Sequence, residues 1–169
     1  NKKAELSYDG FDPDHIPAAH RKLLKDILIQ LTRNSLAHGI ETPEDRKKAG
    51  KNETGKIQLA TRKTGTGIEL TFRDDGRGLL IDKLRRKAAE SGKYTAEEVA
   101  KWDAGTVAGV IFIPGISTAE QTTMNAGRGI GMDIIKEKVD SLGGKIELSF
   151  EAGKFCEFKI FLPDGTAKK

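Results

Sequence analysis

The chain has 169 residues, 37% hydrophobic and 32% charged, which suits one ordinary water-soluble domain with a self-sufficient core. No apolar run approaches the ~18 residues of a membrane span, the first residues do not read as a basic-then-apolar leader, and the single Cys156 excludes a disulfide framework or a CxxC metal site and points to a reducing cytoplasm. Lys and Arg number 29 against 25 Asp and Glu, a net +4, but the charges are interspersed and aromatics are only 6%, so a nucleic-acid surface is not expected.

Taken in chain order, Lys3 to Asp9 can hold a short strand, and Asp12-Pro13-Asp14 offers a helix start. From Ile16 to His38 the apolar residues Leu23, Leu24, Ile27, Leu28, Leu31 and Leu36 recur at helical spacing. This predicts one long amphipathic helix that stops at Gly39, with Pro43 beyond. A charged loop is expected from Glu41 to Gly55, and its Arg46-Lys47-Lys48 run with Lys51 reads as a solvated face. The period then becomes two: Ile57 and Leu59, then Ile68, Leu70 and Phe72, alternate with polar residues around a glycine-containing turn at 63–67.

After Asp74-Asp75-Gly76-Arg77-Gly78, a cationic helix is predicted over Ile81 to Ser91, stopped by Gly92. Thr95 to Asp103 reads as a short helix with a capping-box opening, and Gly105 to Phe112 as another. A glycine- and threonine-containing loop is expected over 114–131. The next helix, Gly131 to Leu142, carries Met132, Ile135, Val139 and Leu142 on one face. Two alternating strands close the chain, one through Ile146, Leu148 and Phe150, the other through Cys156, Phe158, Ile160 and Leu162. Strands in hairpins with the helices set apart predict an α+β two-layer sandwich, with a mixed, mostly antiparallel sheet and helices on one face.

Three clusters bear on chemistry. Gln30, Asn34 and His38 fall at i, i+4 and i+8 on the long helix, so a half-buried Asn34 either bonds local backbone or offers oxygen to a metal or phosphate group. Asp74 with Gly76 and Gly78 at a strand exit is either a plain turn or a carboxylate that accepts from an exocyclic amine while glycine backbone approaches a flat ligand. Gly127-Arg128-Gly129-Ile130-Gly131 before a helix is either a hinge or an anion cradle, to which Lys83 and Lys87 can add two ammonium groups. A Walker loop is absent, and the strand-exit glycines do not match the dinucleotide GxGxxG.

Together the clusters resemble the ATP-binding catalytic domain of histidine kinases, within the GHKL superfamily and its Bergerat fold, and within that the CheA-type chemotaxis kinases. Arg33 to Glu41 resembles the N box, Pro43 to Lys51 the loop that follows it, and Asp74 to Gly78 the G1 box. Phe112 to Ala119 resembles the F box and Gly127 to Asp133 the G2 box. The resemblance implies a single catalytic domain over 1–169 (core about 14–163), excised from a larger multidomain kinase, with a lid over about 114–126. It implies ATP and Mg²⁺: Asp74 on the adenine amine, with Gly76 and Gly78 beside it, Asn34 on Mg²⁺, and Gly127, Arg128, Gly129 and Gly131 around the phosphates. His38, Lys83 and Lys87 face the phosphates in that scheme.

The reaction it implies is transfer of the γ-phosphoryl group to a histidine on a separate phosphotransfer domain. A response regulator, a coupling protein and chemoreceptors become partners of the full-length protein, and the isolated domain is expected to be monomeric and not inserted in a membrane. Two departures stand out: Gln30 replaces the usual histidine of the N box, and Phe155-Cys156 stands where the family often has Gly-Thr. Glutamine cannot take a proton, which disfavours a gyrase-like water-activating ATPase and leaves a nucleotide-sensing module as the alternative to a kinase.

Overall fold

Alternation at period two builds five strands: β1 (Ala4–Ser7), β2 (Gly55–Lys63), β3 (Gly67–Asp74), β4 (Lys145–Glu151) and β5 (Phe155–Pro163). The structure, a computed structural model, describes residues 2–116 and 131–164. It divides into two compact units, Asn1–Leu79 with Lys138–Lys169, and Leu80–Glu137.

The first unit holds the whole sheet, in the order β1-β2-β3-β5-β4, parallel between β1 and β2 and antiparallel elsewhere. Its register sets Leu59, Phe72, Phe158 and Leu148 in one row of the inner face, and Ile57, Asp74, Cys156 and Phe150 in the row beside it. A carboxylate therefore ends a largely apolar face. The sheet is the mixed, mostly antiparallel one that the alternation predicts, and with its helices it forms an α+β sandwich.

Helix α1 (Arg21–Asn34) buries Leu24, Ile27 and Leu31. His20 Nε2 donates to Pro163 O at 2.8 Å, and Ser35 Oγ donates to Asp74 Oδ2 at 2.5 Å. Since Pro163 pairs with Gly67, these bonds tie the helix to both ends of β3. The lengths agree: fourteen helical residues span about 21 Å and eight strand residues about 26 Å.

The expected single helix from Ile16 to His38 is corrected at both ends. Two 3-10 turns, Pro13–His15 and Ala18–His20, precede α1, because Pro17 holds Ile16 extended at φ −89° and ψ 111°. At the other end the helix widens into a π turn, Ser35–Gly39, closed by Ile40 N–H to Ser35 O at 2.7 Å. Gly39 is not in the left-handed region and so is not a helix-capping glycine.

The loop expected from Glu41 to Gly55 contains a helix, α2 (Pro43–Lys48). Thr42 caps it by accepting from Asp45 N–H, Pro43 opens it, and its charges follow the helix dipole, with Glu44 and Asp45 first and Arg46, Lys47 and Lys48 last. Lys47 and Lys48 are exposed as expected. Arg46 is not: it is 1% exposed.

In the second unit, α3 (Ile81–Glu90), α4 (Ala96–Ala100), α5 (Ala104–Gly109) and a 3-10 turn (Val110–Phe112) bury Leu84, Ala88, Val99, Val107, Ala108 and Val110. Thr95 and Glu98 complete the capping box, and Gly92 ends the preceding turn at φ +72°. Arg85 satisfies the end of α4 by donating to Val99 O, and to Trp102 O at 2.9 Å. The chain returns to the first unit within α6 (Met132–Ser141). Of the expected lid and glycine-rich segment, residues 117–130 lie outside the described residues.

Candidate functional site

Asp74 occupies the inward parity set by Ile68, Leu70 and Phe72, and is 3% exposed. Its two oxygens are held separately: Oδ2 by the Ser35 hydroxyl, and Oδ1 by Gly76 N–H at 3.0 Å. Burial pushes the Asp74 carboxyl above the usual range, and the charges of Asp75 and Glu41 add to the push; the Ser35 and Gly76 donors oppose it. The result is a carboxylate whose remaining lone pairs suit a donor such as an amine.

Backbone comes close on two sides. A Cβ at Gly39 would lie 3.3 Å from both Asp74 oxygens, and one at Gly76 would overlap Gly39 O. Arg77 N–H donates to that same Gly39 carbonyl at 3.0 Å. The π turn and the turn after β3 are thus joined backbone to backbone, and only side-chain-free residues allow it. Gly78 takes φ +69°, with Glu151 O 2.5 Å from where its Cβ would stand, while Gly153 N–H donates to Arg77 O at 2.8 Å.

Asn34 ends α1, half-buried, and its Oδ1 accepts from Gln30 Nε2 at 3.2 Å. Within the predicted polar stripe Gln30 bonds Asn34, and His38 lies exposed in the π turn. Lys2 Nζ donates to Leu36 O and Ala37 O, both at 2.8 Å, satisfying carbonyls of that turn. Arg77 Nε is buried without a hydrogen-bond partner among the described residues.

Sequence reasoning missed a buried ionic cluster behind this loop. Arg46 donates to Glu41 Oε2 at 3.1 Å, Asn52 O at 2.6 Å, Asp75 O at 3.3 Å and Asp75 Oδ2 at 2.8 Å. Lys51 donates to Glu41 Oε1 at 2.8 Å, Asp75 O at 2.9 Å and Gly76 O at 2.8 Å. Burial pushes the Glu41 carboxyl up, but its hydrogen bonds and the Lys51 and Arg46 charges overcome this and leave it below the ordinary value. The Thr42-Pro43 helix start was the available signal that Arg46 sits on an ordered turn.

Asp74, Gly76, Gly78, Asn34, Gln30 and His38 all belong to the first unit. Lys83 and Lys87 lie half-buried on α3 in the second, where Gly131 accepts from Ile135 N–H at the start of α6. Gly127, Arg128 and Gly129 lie outside the described residues. Cys156 pairs with Asp74 across the sheet, and its thiol is pushed up to about 12 by burial and then by the Asp74 and Glu157 charges. Its neighbour Phe155 carries the Arg73 guanidinium over its ring at 3.7 Å.

The family model for histidine kinase-, DNA gyrase B-, and HSP90-like ATPases matches residues 19–166. The chain is 39% identical over 163 residues to the chemotaxis protein CheA of Klebsiella aerogenes, and 39% identical over 166 residues to that of Bacillus subtilis. Each match covers 96% of this chain, which spans 24% of the length of either relative. Among solved structures, the histidine kinase domain of a blue-light activated kinase from Erythrobacter litoralis has a TM-score of 0.54 at 15% identity, covering 96% of this chain and 56% of that one; this is likeness of fold.

Proposed function

Since the chain belongs to the family of histidine kinase- and gyrase-like ATPases, whose members bind ATP, we propose that it is the single ATP-binding catalytic domain of a chemotaxis-type histidine kinase, part of a longer chain. The observation that carries this reading is Asp74: a buried carboxylate, fixed by Ser35 and Gly76, beside a glycine-lined approach. Its acceptor oxygens match the amino group of adenine, and the close backbone contact of Gly39 with Gly76 fixes where those oxygens sit.

The donor set also fits Mg²⁺. Asn34 Oδ1 is a hard carbonyl oxygen at the rim of the same turn, and no cluster of His, Cys, Asp and Glu among the described residues makes a dedicated cage. A magnesium ion held by one protein oxygen, phosphates and water needs no such cage, and when bound it supplies charge neutralisation for the phosphate oxygens. Gln30 orients the Asn34 amide through its N–H and cannot accept a proton, so it does not serve as a base toward water. His38 serves the phosphate end in this reading; Lys83, Lys87, Gly127, Arg128, Gly129 and Gly131 keep the phosphate-binding roles that the family resemblance implies.

The acceptor is a histidine of a separate phosphotransfer domain, whose imidazole brings its own lone pair. Positioning and electrostatics then carry the rate, as in phosphoryl transfer generally. Through the full-length protein, the partners are a response regulator, a coupling protein and chemoreceptors in the cytoplasm. Among the described residues, no helix is long and apolar enough to cross a membrane.

Calorimetric titration with ATP and Mg²⁺ tests the pocket. Saturable binding to the wild type and its loss in Asp74→Asn are expected, since the amide turns an acceptor into a donor. Labelled ATP and a cognate phosphotransfer domain then test the reaction. Acid-labile, base-stable label on the acceptor supports a kinase; tight binding with no label at any time favours a nucleotide sensor instead.

A further inference from the structure

Resting on the adenine role of Asp74, we propose that Arg46 and Lys51, paired with Glu41, are positioning residues that act on Asp74 through the Asp75–Gly76 peptide and set the affinity and base selectivity of the pocket. That peptide carries both halves of the coupling. Its carbonyl, Asp75 O, accepts from Arg46 Nη1 and from Lys51 Nζ. Its N–H, on Gly76, donates to Asp74 Oδ1. Two cations at the carbonyl end polarise the amide and strengthen the donor at its other end, because hydrogen bonds in series reinforce one another where water is scarce.

The cluster is costly unless it serves such a purpose. Arg46 is 1% exposed and the Lys51 side chain 16%, and buried charges stabilise less than well-packed apolar groups of the same size. Two cations face two carboxylates, Glu41 and Asp75, so the group is neutral and its bonds are directional. Those directions converge: Asp75 is gripped at its carbonyl and at Oδ2, its Oδ1 accepts from Lys56 N–H at 2.8 Å, and Gly76 O accepts from Lys51. An apolar contact would hold α2 in place but could not fix the rotation of that peptide about the strand exit. The clamp does so, and with it the direction in which Gly76 N–H aims at Asp74.

The test compares ATP with inosine triphosphate, whose 6-oxo base has no amine for Asp74. Lys51→Met, at the rim of the cluster, and Arg46→Lys, which keeps the charge but loses the fork, are titrated by calorimetry after circular dichroism has established folding. In Lys51→Met the ATP Kd should rise about tenfold while the inosine triphosphate Kd moves less than about threefold, so that base discrimination collapses. Arg46→Lys should do the same more strongly; if it fails to fold, Lys51→Met alone decides. Equal weakening of both nucleotides, or unchanged discrimination, overturns the clamp. A wild type that binds ATP no better than inosine triphosphate overturns the adenine reading as well, whereas wild-type discrimination retained in the variants overturns only the clamp.

Discussion

Replacing Ser35 by alanine removes one hydroxyl and leaves the π turn free to form, so its effect isolates the Asp74 carboxylate. Ser35 and Asp74 are 4% and 3% exposed, and the bond between them is 2.5 Å long. A hydrogen bond to a charged buried group contributes about 1.5–3 kcal/mol, and one between neutral groups about 0.5–1.5 kcal/mol. Asp74 has its folded-state pKa above the ordinary 3.8, chiefly through burial. Such a carboxyl favours the folded state below the unfolded value, and that advantage disappears as pH rises through the folded value. Ser35 limits the loss by bonding to the ionised form, so Ser35→Ala raises the folded pKa further.

The variant should therefore lose about 1.5–3 kcal/mol near neutral pH, and only the neutral-bond amount once Asp74 is protonated. Urea unfolding at a series of pH values measures both limits. As pH falls, ATP affinity should begin to drop at a higher pH in the variant than in the wild type, because the protonated carboxyl is a weaker, uncharged acceptor for the base amine. A destabilisation that is the same at every pH, or none at neutrality, would refute the reasoning.

Gly76→Ala forces a Cβ into Gly39 O and to within 2.8 Å of Asp74 Oδ1, and should cost about 1–3 kcal/mol together with ATP binding; a thermal melt and a titration check it, and intact binding would count against the close approach. Cys156, with its thiol pushed up to about 12, should resist Ellman's reagent in the native protein and react only on unfolding; rapid stoichiometric labelling of the folded chain would contradict that burial. Gln30→His introduces a titratable imidazole beside Asn34 and should raise the rate of transfer to the acceptor histidine, whereas equal rates would show that the position does not limit turnover.

What could be read directly from the sequence is what a local period encodes. Ile68, Leu70 and Phe72 define a face, and counting on by two lands on Asp74, so its burial was implicit in the alternation before any partner was known. The capping box at Thr95 and Glu98 is likewise a matter of spacing. Arg46 shows where such reading stops. Beside Lys47 and Lys48 it looks like one more solvated charge, and nothing within a helical turn separates it from them. Its burial follows from Asp75, 29 residues away, and from a six-residue helix too short for its cap and dipole to stand out from a charged loop.

Gly39 makes the same point about backbone. A glycine after a helix is expected to free φ, yet here it clears space for a carboxylate brought to it by the sheet. The π turn that places it has no residue signature of its own, and it is closed by backbone, Ile40 N–H to Ser35 O. The parts of the site hidden from the sequence are thus those whose partners arrive through the tertiary fold. Arg46, Lys51 and Ser35 all act on the strand exit from α1 and the segment after it. Changes at these three positions should therefore alter nucleotide selectivity while leaving Asp74, Gly76 and Asn34 themselves unchanged.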